Sequence, residues 1–205
     1  MRIISPALIA LLLTGCSLSL IEPGREGTEQ FILIDEHAVA DPAPATGTLG
    51  IAVGEVAAPV HLDGDRILFT NSPLTRSAYQ FATWIEPPPA RIRTLIAERL
   101  SSSGVFRPVS TAGGEAGIDL TLALQLSELY HDVSTRPGLA VIRLKGEVLR
   151  AGDRRVIATR SFTRSTELTE YSARGAVSAL SSALTSIIDE LVRWAGEVAQ
   201  ADKVP

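Results

Sequence analysis

The sequence predicts an α+β domain, a two-layer sandwich in which a mostly antiparallel or mixed sheet carries two helices. Three observations predict it. Strand-type alternation recurs in three long stretches, Leu120 to Ser127, Ala140 to Leu149 and Arg155 to Thr166, joined by turn signals. A triple proline, Pro87 to Pro89, stands directly before apolar residues at helical spacing. The last stretch, Ser172 to Ala199, carries an apolar stripe of helical period, wider than the two-position seam of a coiled coil.

The chain opens with one positive residue, Arg2, and an apolar run from Ala7 to Leu13 that ends in Leu12-Leu13-Thr14-Gly15-Cys16. The run is shorter than the ~20 residues that span a bilayer. A charged start, a short apolar segment and small residues at a cleavage point form a secretory signal. Cys16 is the only cysteine in 205 residues. An ordinary cleavage site would leave it as a lone thiol in an oxidising compartment. The pattern resembles the bacterial lipobox. That resemblance implies cleavage between Gly15 and Cys16, with the Cys16 thiol joined to diacylglycerol and Cys16 left as the acylated first residue. Residues 1–15 are then a lipoprotein signal peptide, residues 16–30 a lipidated terminus and tether, and residues 31–200 the domain. Three acyl chains exceed the two signals that stable anchoring requires. The expected location is the cell envelope, facing the periplasm. Ser17 after the cysteine, where some sorting systems read an aspartate, points to the outer membrane.

Removal of residues 1–15 leaves 190 residues and moves the formal charge from −4 to −5, since Arg2 is the only charge lost. That length suits one domain. A mildly acidic chain with scattered Lys and Arg has no footprint for nucleic acid. With its one cysteine committed to lipid, an intrachain disulfide is excluded.

Ser17 to Gln30 is polar and holds Pro23, Gly24 and Gly27, which suits a tether. Phe31 to Ile34 is a short strand-type run, and residues 35–48, with Pro42 and Pro44, read as a loop. Leu49 to Val56 alternates and is predicted as a strand. One of its faces carries Gly50, Ala52 and Gly54, so another element is expected to pack closely there. Pro59 to Arg66 is turn-rich, and Ile67 to Phe69 is a short strand. Tyr79 to Ile85 alternates, with Tyr79, Phe81, Thr83 and Ile85 on one face and Trp84 on the other.

A helix is expected to begin at Pro88 or Pro89, because proline fits the first helical turn but not the interior. It carries Ile92, Leu95, Ile96 and Leu100, and Gly104 suits its C′ position. Val105 to Val109 reads as an edge strand and Ala112 to Gly117 as a loop. Pro137-Gly138 and Ala151 to Arg154 mark the turns between the three long strands. In the last helix, Ala176, Leu180, Ala183, Leu184, Ile187, Leu191, Trp194 and Val198 form the apolar stripe. Ser178, Ser182, Asp189, Glu190, Arg193 and Glu197 form the other face.

Candidate chemistry is sparse. His37, His61 and His131 sit in predicted loops or at strand ends without a partner at metal-ligand spacing, and a surface position is expected for each. Asp63-Gly64-Asp65 lacks the remaining ligand series of a calcium loop and reads as a turn. Gly113, Gly114 and Gly117 match neither phosphate-binding fingerprint. No serine sits in a nucleophile elbow. The chain is read as a non-enzyme with no cofactor and no metal. Trp84, in Trp84-Ile85-Glu86-Pro87, is a possible partner contact, since tryptophan is enriched at interface hot spots. The preferred alternative is a core or rim tryptophan that fixes the corner between strand and helix.

His61-Leu62-Asp63, Arg66-Ile67, Tyr79, Phe81, Trp84-Ile85-Glu86-Pro87, the helix to Leu100 and Gly104-Val105-Phe106 form a connected pattern. It resembles the ABC-type transport auxiliary lipoproteins, the group that contains paraquat-inducible protein C. The family's leucine-aspartate-arginine turn is interrupted here by Gly64-Asp65. The likeness runs from Phe31 to Ala199. It implies an accessory subunit of a lipid-trafficking system, whose partners are an Mce-type substrate-binding protein and its ABC transporter, with a docking or conduit role at a membrane. The alternative is a structural lipoprotein that forms a homo-oligomer in a secretion channel or assembly collar. A lipid-modified hydrolase is a more distant third.

Overall fold

The computed structural model describes residues 27–37, 47–112 and 116–202. In chain order the elements are β1 (Glu29–Phe31), β2 (Ile51–Ala57), β3 (Arg66–Thr70), β4 (Ser77–Trp84), α1 (Pro88–Ser102), β5 (Val109–Ser110), β6 (Leu120–Asp132), β7 (Leu139–Arg150), β8 (Val156–Glu167) and α2 (Ala173–Ala201).

Local signals account for most boundaries. Pro88 and Pro89 occupy the first positions of α1, where a missing N–H costs nothing. Behind the C-cap Ser103, Gly104 takes a φ of 67°, a left-handed turn that favours glycine. The Ser172 side chain caps α2 by accepting from the Gly175 N–H at 3.0 Å. Two expectations shrink. Of the run Phe31 to Ile34, only Phe31 belongs to β1, which starts at Glu29. Of Val105 to Val109, only Val109 is in β5.

The two-layer sandwich is not what forms. All eight strands belong to one mixed sheet that curls into a half-barrel around the two helices. The sheet forks at β6. On one side β6 pairs antiparallel with β7, and β7 with β8. On the other side two strands share its length. β2 runs parallel to Leu120–Gln125, and β3 runs parallel to His131 and Asp132. β5 extends the β2 branch, while β4 and then β1 extend the β3 branch. The pairing shifts register between Val53 and Val56, Leu126 and Glu128, and Arg66 and Leu68, all close to the fork. Such irregularities bend a strand and increase its twist.

The burial of α2 supplies the second reason. Its buried residues include Ser181 and Thr185 as well as the aliphatic stripe, so cover is needed on more than one side. β7 and β8 cover one side and α1 touches another. The segment after β1 lies across a third: the Ile34 N–H donates to Ser181 Oγ at 3.3 Å, and the Glu36 N–H to Thr185 Oγ1 at 2.9 Å. By length and composition α2 could cross a membrane, but most of it is enclosed by the domain. α1 packs on β2 and buries Ile92, Leu95, Ile96 and Leu100.

The small-residue face of β2 is only partly covered. A Cβ on Gly50 would lie 1.9 Å from the Gly117 carbonyl oxygen, so the 117–119 segment crosses there as expected. Ala52 and Gly54 instead line an open groove of about 790 Å³, together with Thr121, Ala123 and Leu149.

Candidate functional site

Gly15 and Cys16 lie outside the described residues, which begin at residue 27. β1 runs parallel to β4, with Glu29 beside Ala82 and Phe31 beside Trp84. The chain before Glu29 therefore comes from the Ser77 end of β4. Glu29 also pairs with Arg174, in the first turn of α2. The chain thus enters β1 near the end of the domain that holds the N-terminus of α2.

Trp84 sits at the end of β4 with only 3% of its surface exposed. Its N–H donates to the Asp65 carbonyl at 2.7 Å, and the next N–H, of Ile85, donates to the Phe31 carbonyl at 2.8 Å. Arg91, one turn into α1, donates from Nε to the Leu33 carbonyl at 2.9 Å and lies 3.7 Å from Glu86. The corner thus joins β4, β1 and α1, and the tryptophan faces inward. The large apolar side chains that reach solvent along this edge are Ile32, Ile34, Phe81 and Ile85.

The histidines separate. His61 is exposed. His37 Nδ1 lies 3.0 Å from Asp189 Oδ2 on the surface of α2. His131 departs from the expected surface position and is fully buried. Its Nδ1 is 2.7 Å from the Tyr79 hydroxyl, and its Nε2 is 3.2 Å from the Pro137 carbonyl. The Tyr79 ring lies nearly parallel to the imidazole at 6.4 Å between centroids, joined to it edge to edge by that Nδ1 hydrogen bond, and Tyr171 meets it edge-on at 5.5 Å. Burial holds the His131 imidazole below its ordinary value, and burial, followed by Tyr171, pushes the Tyr79 hydroxyl up to about 12. Both groups are therefore neutral at physiological pH. With the ring closed off from solvent, the pair serves as a packing contact. The alternating pattern of β6 placed His131 at a strand end. Its burial follows from Tyr171, forty residues away in a loop.

A second polar cluster has no local signature in the sequence. Arg99 on α1 hydrogen-bonds Asp35, in the segment after β1, and Asp189 on α2. Among the described residues, no three His, Cys, Asp or Glu side chains converge as metal ligands. Among the described residues, large apolar side chains reach solvent at Ile32, Ile34, Phe81 and Ile85, and at Leu74 and Tyr171.

Residues 31–192 match the family model described as ABC-type transport auxiliary lipoprotein component. No curated protein matches the chain. Among solved structures, a Xanthomonas campestris protein of the DUF330 family is similar at a TM-score of 0.74 and 23% identity, covering 86% of this chain and 99% of its own. An uncharacterized protein is similar at a TM-score of 0.66 and 15% identity, covering 82% and 97%. A PelC dodecamer from Paraburkholderia phytofirmans gives a TM-score of 0.47 at 20% identity, covering 75% and 91%. At these identities the first two likenesses show the fold alone.

Proposed function

The chain belongs to the ABC-type transport auxiliary lipoprotein family, and from that premise we propose that it is the non-catalytic accessory subunit of an Mce-type system moving lipids between membranes. The observation that carries this reading is the extent of the family match, which spans nearly the whole domain from β1 into α2. The lipobox supports it from the other end of the chain: acylated at Cys16, the protein is held at a membrane surface, outer by the Ser17 reading. Its task is then positional. Confinement of two partners to one narrow compartment raises their effective concentration, so the contact between them can be individually weak. The exposed Ile32, Ile34, Phe81 and Ile85 along the β1–β4 edge supply apolar area for such a contact, and Trp84 fixes the corner beneath them.

Crosslinking in cells followed by affinity purification tests this. The expected result is recovery of an Mce-type protein with its permease and ATPase. Recovery of secretion-channel subunits without any transporter component would favour the oligomeric collar. Hydrolysis of a lipid or ester by the purified protein would end the non-catalytic assignment.

A further inference from the structure

We propose that the end of the domain built from the 71–76, 133–138 and 168–174 segments rests on the phospholipid headgroups of the bilayer that carries the anchor. This rests on the reading of Cys16 as the acylated residue.

Strand pairing brings the three segments together. Phe69 pairs with His131 and Thr70 with Asp132, and the Val133 N–H donates to the Thr70 carbonyl at 2.7 Å. The loops that follow β3 and β6 therefore lie side by side. Leu139 pairs with Glu167, and the Leu168 N–H donates to the Gly138 carbonyl at 3.1 Å, which adds the segment leading into α2.

The chemistry of this end suits a water–lipid boundary. Leu74, at the tip of the β3–β4 hairpin, is 93% exposed. Arg136 lies over the Tyr171 ring at 4.4 Å from its centroid, and Arg76 over the Tyr130 ring at 4.3 Å. Amphipathic aromatic rings and arginines that keep their charge in the headgroup layer are the side chains that settle at such a boundary. Among the described residues neither Arg76 nor Arg136 has a carboxylate partner, whereas Arg99, Arg143, Arg150, Arg160, Arg164 and Arg174 each do. Asp132, Glu167 and Glu170 balance the arginines of this end, so the contact is with individual headgroup phosphates and needs no net negative surface.

Charge alone does not select this end. Arg154 and Arg155, in the hairpin at the opposite end, also lack an ion-pair partner among the described residues. The tether selects it. The chain enters at Glu29 from the direction of this end, and five strand residues, ~17 Å, separate Ala82 from Ser77. The thirteen residues from Cys16 to Glu29 span at most ~45 Å. Reaching the level of Ser77, where the 71–76 loop ends, takes less than half of that. Seating the opposite end would instead require the tether to turn back on leaving Glu29 and run alongside α2, itself ~43 Å long.

The test uses the full acylated chain reconstituted into vesicles of phosphatidylethanolamine and phosphatidylcholine. Thr135→Cys at this end and Gly152→Cys at the other are labelled with an environment-sensitive maleimide dye. The expected result is a blue-shifted, quencher-protected dye at position 135 and a solvent-like dye at position 152. Leu74→Ser should then shift the docked-to-undocked ratio reported at position 135 by about tenfold or more. Equal accessibility at the two positions in an acylated chain, or protection at position 152, overturns this proposal and leaves the anchor standing. Maleimide labelling of Cys16 in the otherwise unaltered protein overturns the anchor reading, and this proposal with it.

Discussion

Arg99 on α1 donates to the carboxylate of Asp35, sixty-four residues earlier in the segment that crosses α2. Through its other terminal nitrogen it reaches Asp189 on α2, which also meets His37 at 3.0 Å. One guanidinium thus ties both helices to the segment after β1. The Asp35 side chain is 2% exposed and that of Arg99 10%, and the Arg99 Nε is buried with no hydrogen-bond partner among the described residues. Two charges removed from water to this degree depend on each other.

Arg99→Ala should therefore cost about 3–5 kcal/mol, because it strands the Asp35 carboxylate in the interior. Urea unfolding monitored by circular dichroism gives the value. A loss under about 1 kcal/mol, the level of an exposed ion pair, would mean that Asp35 finds water once Arg99 is gone.

Leu184 is fully buried on α2, in the stripe the sequence predicts. Leu184→Ala should destabilise the domain by about 2–5 kcal/mol through lost contact and a residual cavity. Leu184→Asp should prevent folding, since it adds an unpaired buried carboxylate. A cooperative melt at the parent temperature in the aspartate variant would show that this position is not enclosed.

His131 makes stability depend on pH. The unfolded chain takes up a proton at this residue near pH 6.5, while the buried imidazole resists it. Between those values the unfolded state binds more protons, so stability is intact above pH 6.5 and falls as the pH drops below it. His131→Gln should flatten that decline. Tyr79 acts at the other end: its hydroxyl is raised from 10.0 to about 12, so its contribution is lost as the pH climbs through that range. Thermal melts of parent and variant across both ranges check this. An undiminished acid slope in His131→Gln assigns the effect to another group.

Cys16→Ser should leave the precursor unprocessed, or release a soluble product if a different peptidase cuts it. The thiolate is the better nucleophile, and a serine hydroxyl does not replace it as the atom joined to diacylglycerol. Intact mass spectrometry of the membrane-purified protein decides: the mature amino terminus should be an acylated Cys16, and an unmodified thiol there removes the anchor.

The sequence by itself determined the features that depend on near neighbours. Side-chain direction repeats every two residues in a strand and every 3.6 in a helix, so Leu120 to Leu126 and Ala176 to Val198 announced their buried faces. Proline at Pro88 and glycine at Gly104 marked the ends of α1 through backbone constraints that act within one turn. The pattern from His61 to Phe106 marked the family. Only the tertiary structure decided what those faces meet. The fork at β6, the curl of the sheet, the segment laid over Ser181 and Thr185, the enclosure of His131 by Tyr79 and Tyr171, and the Arg99 clasp all join residues far apart in the chain. A period states that one side of α2 is apolar, but whether one layer or three cover it depends on strand pairings and register shifts elsewhere. Such long-range pairings are chosen by the packing of the whole domain and leave no mark on any local stretch.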